Sequence, residues 1–176
     1  EHACMTGQAL LAAPDRPEAF ARSLAWRLRG WLLGLPASVG WGTLRAIVRL
    51  WLGWPVDRSG VRSAGNGPAM RAAILGVCLG DDPERLGAFV VRSTRLTHSD
   101  PRALAGALAV ARAAAAACRS QGSPAEVLAE VRARCDDGEL AAALTKCGEL
   151  LARGAPAESL ACSLGQVDGV SGYIHH

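Results

Sequence analysis

Residues 63–71 read Ser-Ala-Gly-Asn-Gly-Pro-Ala-Met-Arg, and residues 96–103 read Leu-Thr-His-Ser-Asp-Pro-Arg-Ala, with a helix-like segment between them. Gly65 and Gly67 leave the main chain open to close approach, because glycine carries no side chain. Pro68 stands where the first residue of a helix is expected, since its fixed φ suits a helix and its missing N–H is not needed there. The first N–H groups of a helix lack internal partners and lie at the positive end of its dipole. The pattern therefore predicts a glycine-rich loop that leads into a helix and binds an anion, phosphate above all.

Helix start signals recur on the C-terminal side of this loop. Asp82–Pro83 and Asp100–Pro101 each place an N-cap aspartate before a proline of the first turn. Ser123 and Glu126 have the spacing of a capping box. Strand signals are nearly absent, since Val90–Val91 is too short a run to count. Helices joined by short loops predict an all-α fold.

Prolines and glycines also divide the rest of the chain into helical segments. The predicted segments are a helix ending at Pro14, a second from Asp15 through Trp31, a loop over residues 36–42, a third helix over Leu44–Trp51, a long connection over residues 55–67, and a break between two further helices at Gly154–Pro156. In the second helix, Phe20, Leu24 and Leu28 recur at the spacing of one helical face. We expect residues 1–176 to form one domain or part of one, with no second domain and no internal repeat.

Composition excludes several functional classes. The net charge of the 176 residues is only +3, with no basic block, which does not indicate a nucleic-acid-binding protein. No apolar run reaches the roughly 18 residues that a membrane-spanning helix needs. The alanine-rich stretch Ala103–Cys118 contains Arg112 and is better interpreted as a packed helix. No secretory signal opens the chain, so a cytoplasmic location without membrane partners is expected.

The six cysteines form no Cys-x-x-Cys pair. Most of them lie in helix-like runs beside alanine and leucine, which favours small buried thiols over disulfides or metal ligands. They are Cys4, Cys78, Cys118, Cys135, Cys147 and Cys162.

The loop and the Leu-Thr-His segment together resemble those of the ADP-ribosylglycohydrolases, a family that includes dinitrogenase-reductase-activating glycohydrolases and ADP-ribosyl-serine and ADP-ribosyl-arginine hydrolases. The resemblance implies an all-α fold and a hydrolase that removes ADP-ribose from a modified protein or small molecule. It also implies that the loop holds the diphosphate, with the histidine alongside. The ADP-ribose-binding residues implied in this way are Ser63, Gly65, Asn66, Gly67 and His98.

Other family motifs have no counterpart in this chain. The family builds a dinuclear metal centre from a Thr-Asp-Asp-Thr motif near the front and a Gly-Gly-Asp-Thr-Asp-Thr motif near the end, with a catalytic acidic residue further forward. None of these occurs here. The chain thus resembles the middle portion of a family member, with no catalytic residue of its own. We expect Mg²⁺ or Mn²⁺ to be bound by ligands outside these residues, which alone should not bind two divalent ions tightly.

Each candidate residue also has a purely structural interpretation. Asn66 between two glycines is commonly a turn residue, and Ser63 or His98 could serve only to stabilise the loop. Arg71 would pair with a carboxylate or support the phosphate, and a structural role is favoured. Asp100 is interpreted as an N-cap rather than a metal ligand. A non-catalytic ADP-ribose-binding or structural member of the same fold is the alternative function, and the acceptor (serine, arginine or a small molecule) stays open.

Overall fold

A computed structural model describes residues 1–37, 39–119 and 123–156, together with Ser159, Cys162 and Ser163. Within these residues the chain is helical, with no strand, which confirms the all-α prediction. The helices are α1 (His2–Ala12), α2 (Pro17–Leu33), α3 (Trp41–Trp51), α4 (Ala73–Leu79), α5 (Pro83–Arg95), α6 (Pro101–Arg119), α7 (Pro124–Ala133) and α8 (Gly138–Ala152), with a 3₁₀ turn at Ala69–Arg71 before α4.

The hydrophobic core lies between the first six helices, α1 to α6. The predicted face of α2 supplies Phe20, Leu24 and Leu28, all fully buried. The Phe20 ring meets that of Phe89 on α5 with centroids 5.1 Å apart. Burying each such side chain contributes about 1.5–3 kcal/mol, so this layer holds α2 against α5. In the described ranges, no helix has the length and apolarity that crossing a membrane requires.

Helices α4 and α6 cross in close contact. A Cβ atom placed on Gly76 would overlap the carbonyl oxygen of Ala111, and one on Gly80 would lie 2.6 Å from the Ala115 Cβ. Two helices approach this closely only where one of them carries no side chain at the point of contact. The alanine-rich stretch is therefore a packed helix, as predicted.

The predicted helix caps are present. Asp82 accepts a hydrogen bond from the Arg85 N–H at 3.0 Å, and Asp100 accepts one from the Arg102 N–H at 3.0 Å. The Ser123 capping box is also formed. Caps of this kind use groups within a few residues of each other, so the local sequence suffices to predict them.

Two predicted helix starts are wrong. Helix α3 begins at Trp41 rather than Leu44. The prediction placed Gly40 and Gly42 in a loop because glycine is typical of loops, but Gly42 lies inside the helix. Pro68 begins a 3₁₀ turn rather than an α-helix, because the Arg71 N–H bonds to the Pro68 carbonyl three residues back. Helix α4 starts only at Ala73 and has 7 residues, so a helix dipole cannot be the basis of an anion site here.

The prediction of buried cysteines is also wrong. Among the cysteines, Cys135 and Cys147 are half-buried, the other four are exposed, and all six are free thiols. Alanine occupies the buried positions of α6 at Ala107, Ala111 and Ala115 instead. The residues that neighbour a cysteine in the sequence do not show which face of the helix the cysteine occupies. The break at Gly154 ends α8 with a positive φ of 62°, and most of the helix predicted beyond it lies outside the described residues.

Candidate functional site

The two motifs of the sequence lie side by side because their main chains are bonded together. The Val61 N–H donates to the Thr97 carbonyl at 3.1 Å, and the Ser99 N–H donates to the Val61 carbonyl at 2.9 Å. These bonds make an isolated parallel bridge between Val61 and His98. The bridge holds the long connection against the end of α5 and places His98 beside the glycine loop.

Gly60 makes this approach possible, although no sequence motif indicated a role for it beyond the long connection. A Cβ atom on Gly60 would overlap the Arg95 carbonyl oxygen and lie 3.2 Å from the His98 main chain. The neighbouring Ser59 hydroxyl donates to the Leu96 carbonyl at 2.8 Å. In the sequence, Gly60 is marked only by the serine before it in a polar connection, and this combination is common in loops that have no special role.

Three glycines surround the outer end of the His98 ring. Cβ atoms placed on Gly65 and Gly42 would lie 2.9 and 3.2 Å from its Nε2, and one on Gly67 would lie 3.2 Å from its Cε1. Ser63 completes this arrangement, since its hydroxyl oxygen accepts the Gly65 N–H at 3.2 Å. The absent side chains let the main chain lie close against the ring. We call these three glycines the glycine cradle.

Arg71 lies beneath the loop and is completely buried. Its Nε donates to the Ser93 hydroxyl at 3.0 Å, and its Nη2 donates to the Ser93 carbonyl at 2.7 Å and the Thr97 hydroxyl at 2.6 Å. Its Nη1 reaches the Gly67 carbonyl at 3.4 Å. Burial lowers the pKa of this guanidinium to about 10, so it stays charged at neutral pH. In the described part of the chain no carboxylate forms an ion pair with it, so its structural role rests on neutral acceptors.

His98 is only 2% exposed, and its Nδ1 lies 2.9 Å from the Thr97 hydroxyl oxygen. Burial, followed by the positive charge of Arg71, lowers the pKa of His98 to about 4, while Asp100 opposes this shift. The imidazole is therefore neutral at pH 7, with one nitrogen donating and the other accepting.

These residues open onto a cleft of about 1150 Å³. All five ADP-ribose-binding candidates line it: Ser63, Gly65, Asn66, Gly67 and His98. Three arginines that the sequence did not single out also line it, namely Arg45, Arg62 and Arg102. Asp100 is bound to Arg102 by two side-chain hydrogen bonds of 3.1 Å, which hold the pKa of this carboxyl below its usual value. The positive charges exceed the negative ones, so the cleft suits an anionic ligand.

The start of α1 and the end of α2 also line the cleft. The His2 ring packs edge-on against Trp31 with centroids 4.5 Å apart, and the Trp31 Nε1 donates to the Glu1 carboxylate at 2.6 Å. Burial lowers the pKa of His2 to about 4, aided by the charge of Arg71. Nothing in the sequence pointed to His2, because no motif surrounds it and its distance from residue 63 conceals the proximity.

The comparison with protein families agrees with the two motifs. The family model for ADP-ribosylglycohydrolase matches residues 1–175. The chain belongs to the ADP-ribosylglycohydrolase family. The resemblance seen in the sequence is thus confirmed, and the family's description is that of glycohydrolases that act on ADP-ribosyl groups. A search of curated proteins gave no significant match.

The dinuclear metal centre of an ADP-ribosylglycohydrolase does not fit the described residues. In these ranges no group of three or more histidine, cysteine, aspartate and glutamate side chains is arranged to hold an ion. Each ion of such a centre needs several oxygen ligands, and Asp100 at the cleft is already bound to Arg102. We therefore assign no bond-breaking step to these residues.

Proposed function

We propose that this chain binds ADP-ribose in the cleft, as part of a hydrolase that removes ADP-ribose from a modified protein or small molecule. The observation that carries the proposal is the convergence of the glycine loop and His98 on one basic cleft. Family membership sets the reaction class, and the cleft supplies a place for the nucleotide. Dependence on Mg²⁺ or Mn²⁺ is part of the proposal and comes from the family resemblance alone.

The loop is suited to the diphosphate for steric and electrostatic reasons. The glycine cradle allows phosphate oxygens to approach the main chain and the His98 ring. Arg45 and Arg62 add positive charge at the cleft, and arginine matches phosphate geometry well. The guanidinium of Arg102 is already bound to Asp100. These residues would position the ligand, which is a large part of catalysis when reacting groups must be held in line.

A non-catalytic ADP-ribose-binding protein is the second candidate. Its support is the lack of a metal-ligating cluster among the described residues. The two functions differ in a direct assay, since only the hydrolase releases ADP-ribose from a modified protein in the presence of Mg²⁺ or Mn²⁺. Binding of free ADP-ribose is common to both.

Asn66→Ala tests the shared binding step. The Asn66 carbonyl accepts the Met70 N–H at 3.0 Å, and this main-chain bond survives the substitution, so the fold should be kept. Loss of one hydrogen bond to a charged phosphate costs about 1.5–3 kcal/mol, so we expect ADP-ribose to bind roughly ten- to a hundredfold more weakly. The measurement is calorimetric titration of the intact, metal-loaded protein with ADP-ribose.

Gln8→Ala is the matched control, because it removes an exposed side-chain amide outside the cleft. Its affinity for ADP-ribose should equal that of the wild type. Equal affinity of Asn66→Ala and wild type, at matched thermal stability, would show that the loop is only a turn. A wild-type protein without measurable ADP-ribose binding would contradict both candidate functions.

A further inference from the structure

A chain of buried hydrogen bonds runs from Arg71 to His98. The Arg71 Nη2 lies 2.6 Å from the Thr97 hydroxyl oxygen, which lies 2.9 Å from the His98 Nδ1. Arg71 and Thr97 are fully buried and His98 nearly so. Water therefore has no access to complete or replace these bonds, and each polar atom must be satisfied by its neighbours.

The direction of each bond follows from the chemistry of Arg71. A guanidinium only donates, so the Thr97 oxygen accepts from Nη2. The Thr97 hydroxyl still has its own proton to donate, and His98 Nδ1 is the acceptor at hydrogen-bonding distance. Nδ1 must then lack a proton, and the neutral ring carries its proton on Nε2. The opposite tautomer would leave the buried Thr97 proton without an acceptor.

We propose that Arg71 is a positioning residue that, through the Thr97 hydroxyl, keeps His98 in the tautomer with its proton on Nε2. The Nε2–H group then faces the glycine cradle as a hydrogen-bond donor. This assignment extends the proposed function, since the donor would meet an oxygen of ADP-ribose. It is a role for Arg71 and Thr97 in preparing the ring rather than in touching the ligand.

The same arginine also places the loop. Its Nη1 reaches the Gly67 carbonyl, so one rigid guanidinium sets the position of both Gly67 and Thr97. The Val61–His98 bridge holds the main chain of the histidine independently. Burial and the nearby positive charge lower the pKa of His98, which agrees with a ring that stays neutral and keeps a single proton. Fixing the tautomer before the ligand arrives avoids a rearrangement on binding.

The tautomer is measured directly by ¹⁵N NMR of the imidazole nitrogens in the intact protein at pH 7. The His98 signals are assigned by their loss in His98→Gln. We expect the wild type to show a protonated Nε2 and an unprotonated Nδ1. Thr97→Val keeps the side-chain volume and removes the hydroxyl, so the protonated-Nε2 preference should be lost. ADP-ribose affinity should fall by about tenfold, the worth of one hydrogen bond to a charged group.

Two further variants distinguish the effect of the Arg71–Thr97–His98 hydrogen bonds from a general effect on packing. Thr97→Ser retains the hydroxyl and should restore the wild-type tautomer. Ser93→Ala removes the partner of the Arg71 Nε but not the bond to Thr97, and should leave the tautomer unchanged.

A protonated Nδ1 in the wild type overturns the proposal even if Thr97→Val fails to fold, and so does an unchanged tautomer in Thr97→Val. A changed tautomer with unchanged affinity overturns its link to ADP-ribose. Failure of the wild type to bind ADP-ribose contradicts the proposed function alone, because the NMR result does not depend on ligand.

Discussion

The α4–α6 crossing and the glycine cradle both depend on missing side chains, but for opposite reasons. At the crossing, a Cβ on Gly76 would overlap the main chain of Ala111, so no space remains for a methyl group. In the cradle, a Cβ on Gly65 would meet the end of the His98 ring beside an open cleft. Glycine serves packing in the first region and access in the second. A substitution should therefore reduce stability in one and ligand binding in the other.

Gly76→Ala should have the largest effect on stability. Main-chain atoms cannot move aside as a side chain can, so α4 and α6 must separate to admit the methyl group. Overpacking of this kind costs about 3 kcal/mol of the free energy of unfolding. Urea denaturation of the purified variant measures it.

Gly30→Ala is the control for that experiment. Gly30 lies within α2, is exposed, and has no atom within 4 Å of its Cβ position. Alanine there should raise the free energy of unfolding by about 0.5–1 kcal/mol, because it is the better helix former. If both variants shift stability in the same direction, the crossing is looser than its geometry indicates.

Acidification should affect the cradle and leave the helix crossing alone. The pKa of His98 is lowered from 6.5 to about 4, so the unfolded chain binds a proton that the folded one does not. This proton uptake favours the unfolded chain, so the contribution of the neutral His98 to the free energy of unfolding is present above pH 6.5 and is lost as the pH falls toward 4. The loss reaches about 2 kcal/mol at pH 5. Thermal or urea unfolding, carried out at a series of pH values between 7.5 and 4.5, measures this loss of stability.

His98→Asn isolates this contribution, because His2 also has a lowered pKa and titrates in the same range. The stability of the variant should decline less steeply between pH 6.5 and 4.5 than that of the wild type. Parallel curves for the two proteins would show that His98 titrates normally in the folded state.

Gly65→Ala should have the smallest effect on folding and a clear effect on binding. The new methyl group would lie 2.9 Å from the His98 Nε2 and displace the ring end by a few tenths of an ångström. We expect a loss of no more than about 1 kcal/mol in stability. ADP-ribose affinity should fall by about tenfold, since the methyl group occupies the space next to the Nε2 donor. Calorimetric titration beside Gly30→Ala gives both quantities, and a stability loss as large as that of Gly76→Ala would remove the distinction between the two regions.

The sequence predicted the parts of the fold that depend on near neighbours. The caps at Asp82, Asp100 and Ser123 were found because each aspartate or serine bonds to an N–H two or three residues away. The start of α3 was missed because Gly40 and Gly42 resemble loop residues. Gly42 in fact lies in the helix, at a position where a side chain would crowd the His98 ring.

The candidate site was predicted in part. The loop and His98 were identified from two motifs that resemble one family, and both line the same cleft. His2 and Arg45 were not, because they reach the cleft only through contacts between distant segments. Arg62 and Arg102 lie beside or within the two motifs, but no sequence pattern distinguished them. Gly60 contributes through its close contact with Arg95 and His98 rather than by lining the cleft. Arg71 was expected to have a structural role, but its partners turned out to be neutral hydroxyl and carbonyl groups.

By itself the sequence determined the helical class, most helix boundaries, the family and the two motifs, since these depend on residue type at fixed local spacing. Only the tertiary structure decided which glycines close a helix crossing and which open a cleft. It also decided that Arg71 reaches His98 through Thr97, and that none of the six cysteines is fully buried. The physical reason is that a missing side chain or a buried donor acquires its role from the atoms opposite it. In this fold those atoms belong to segments far away along the chain.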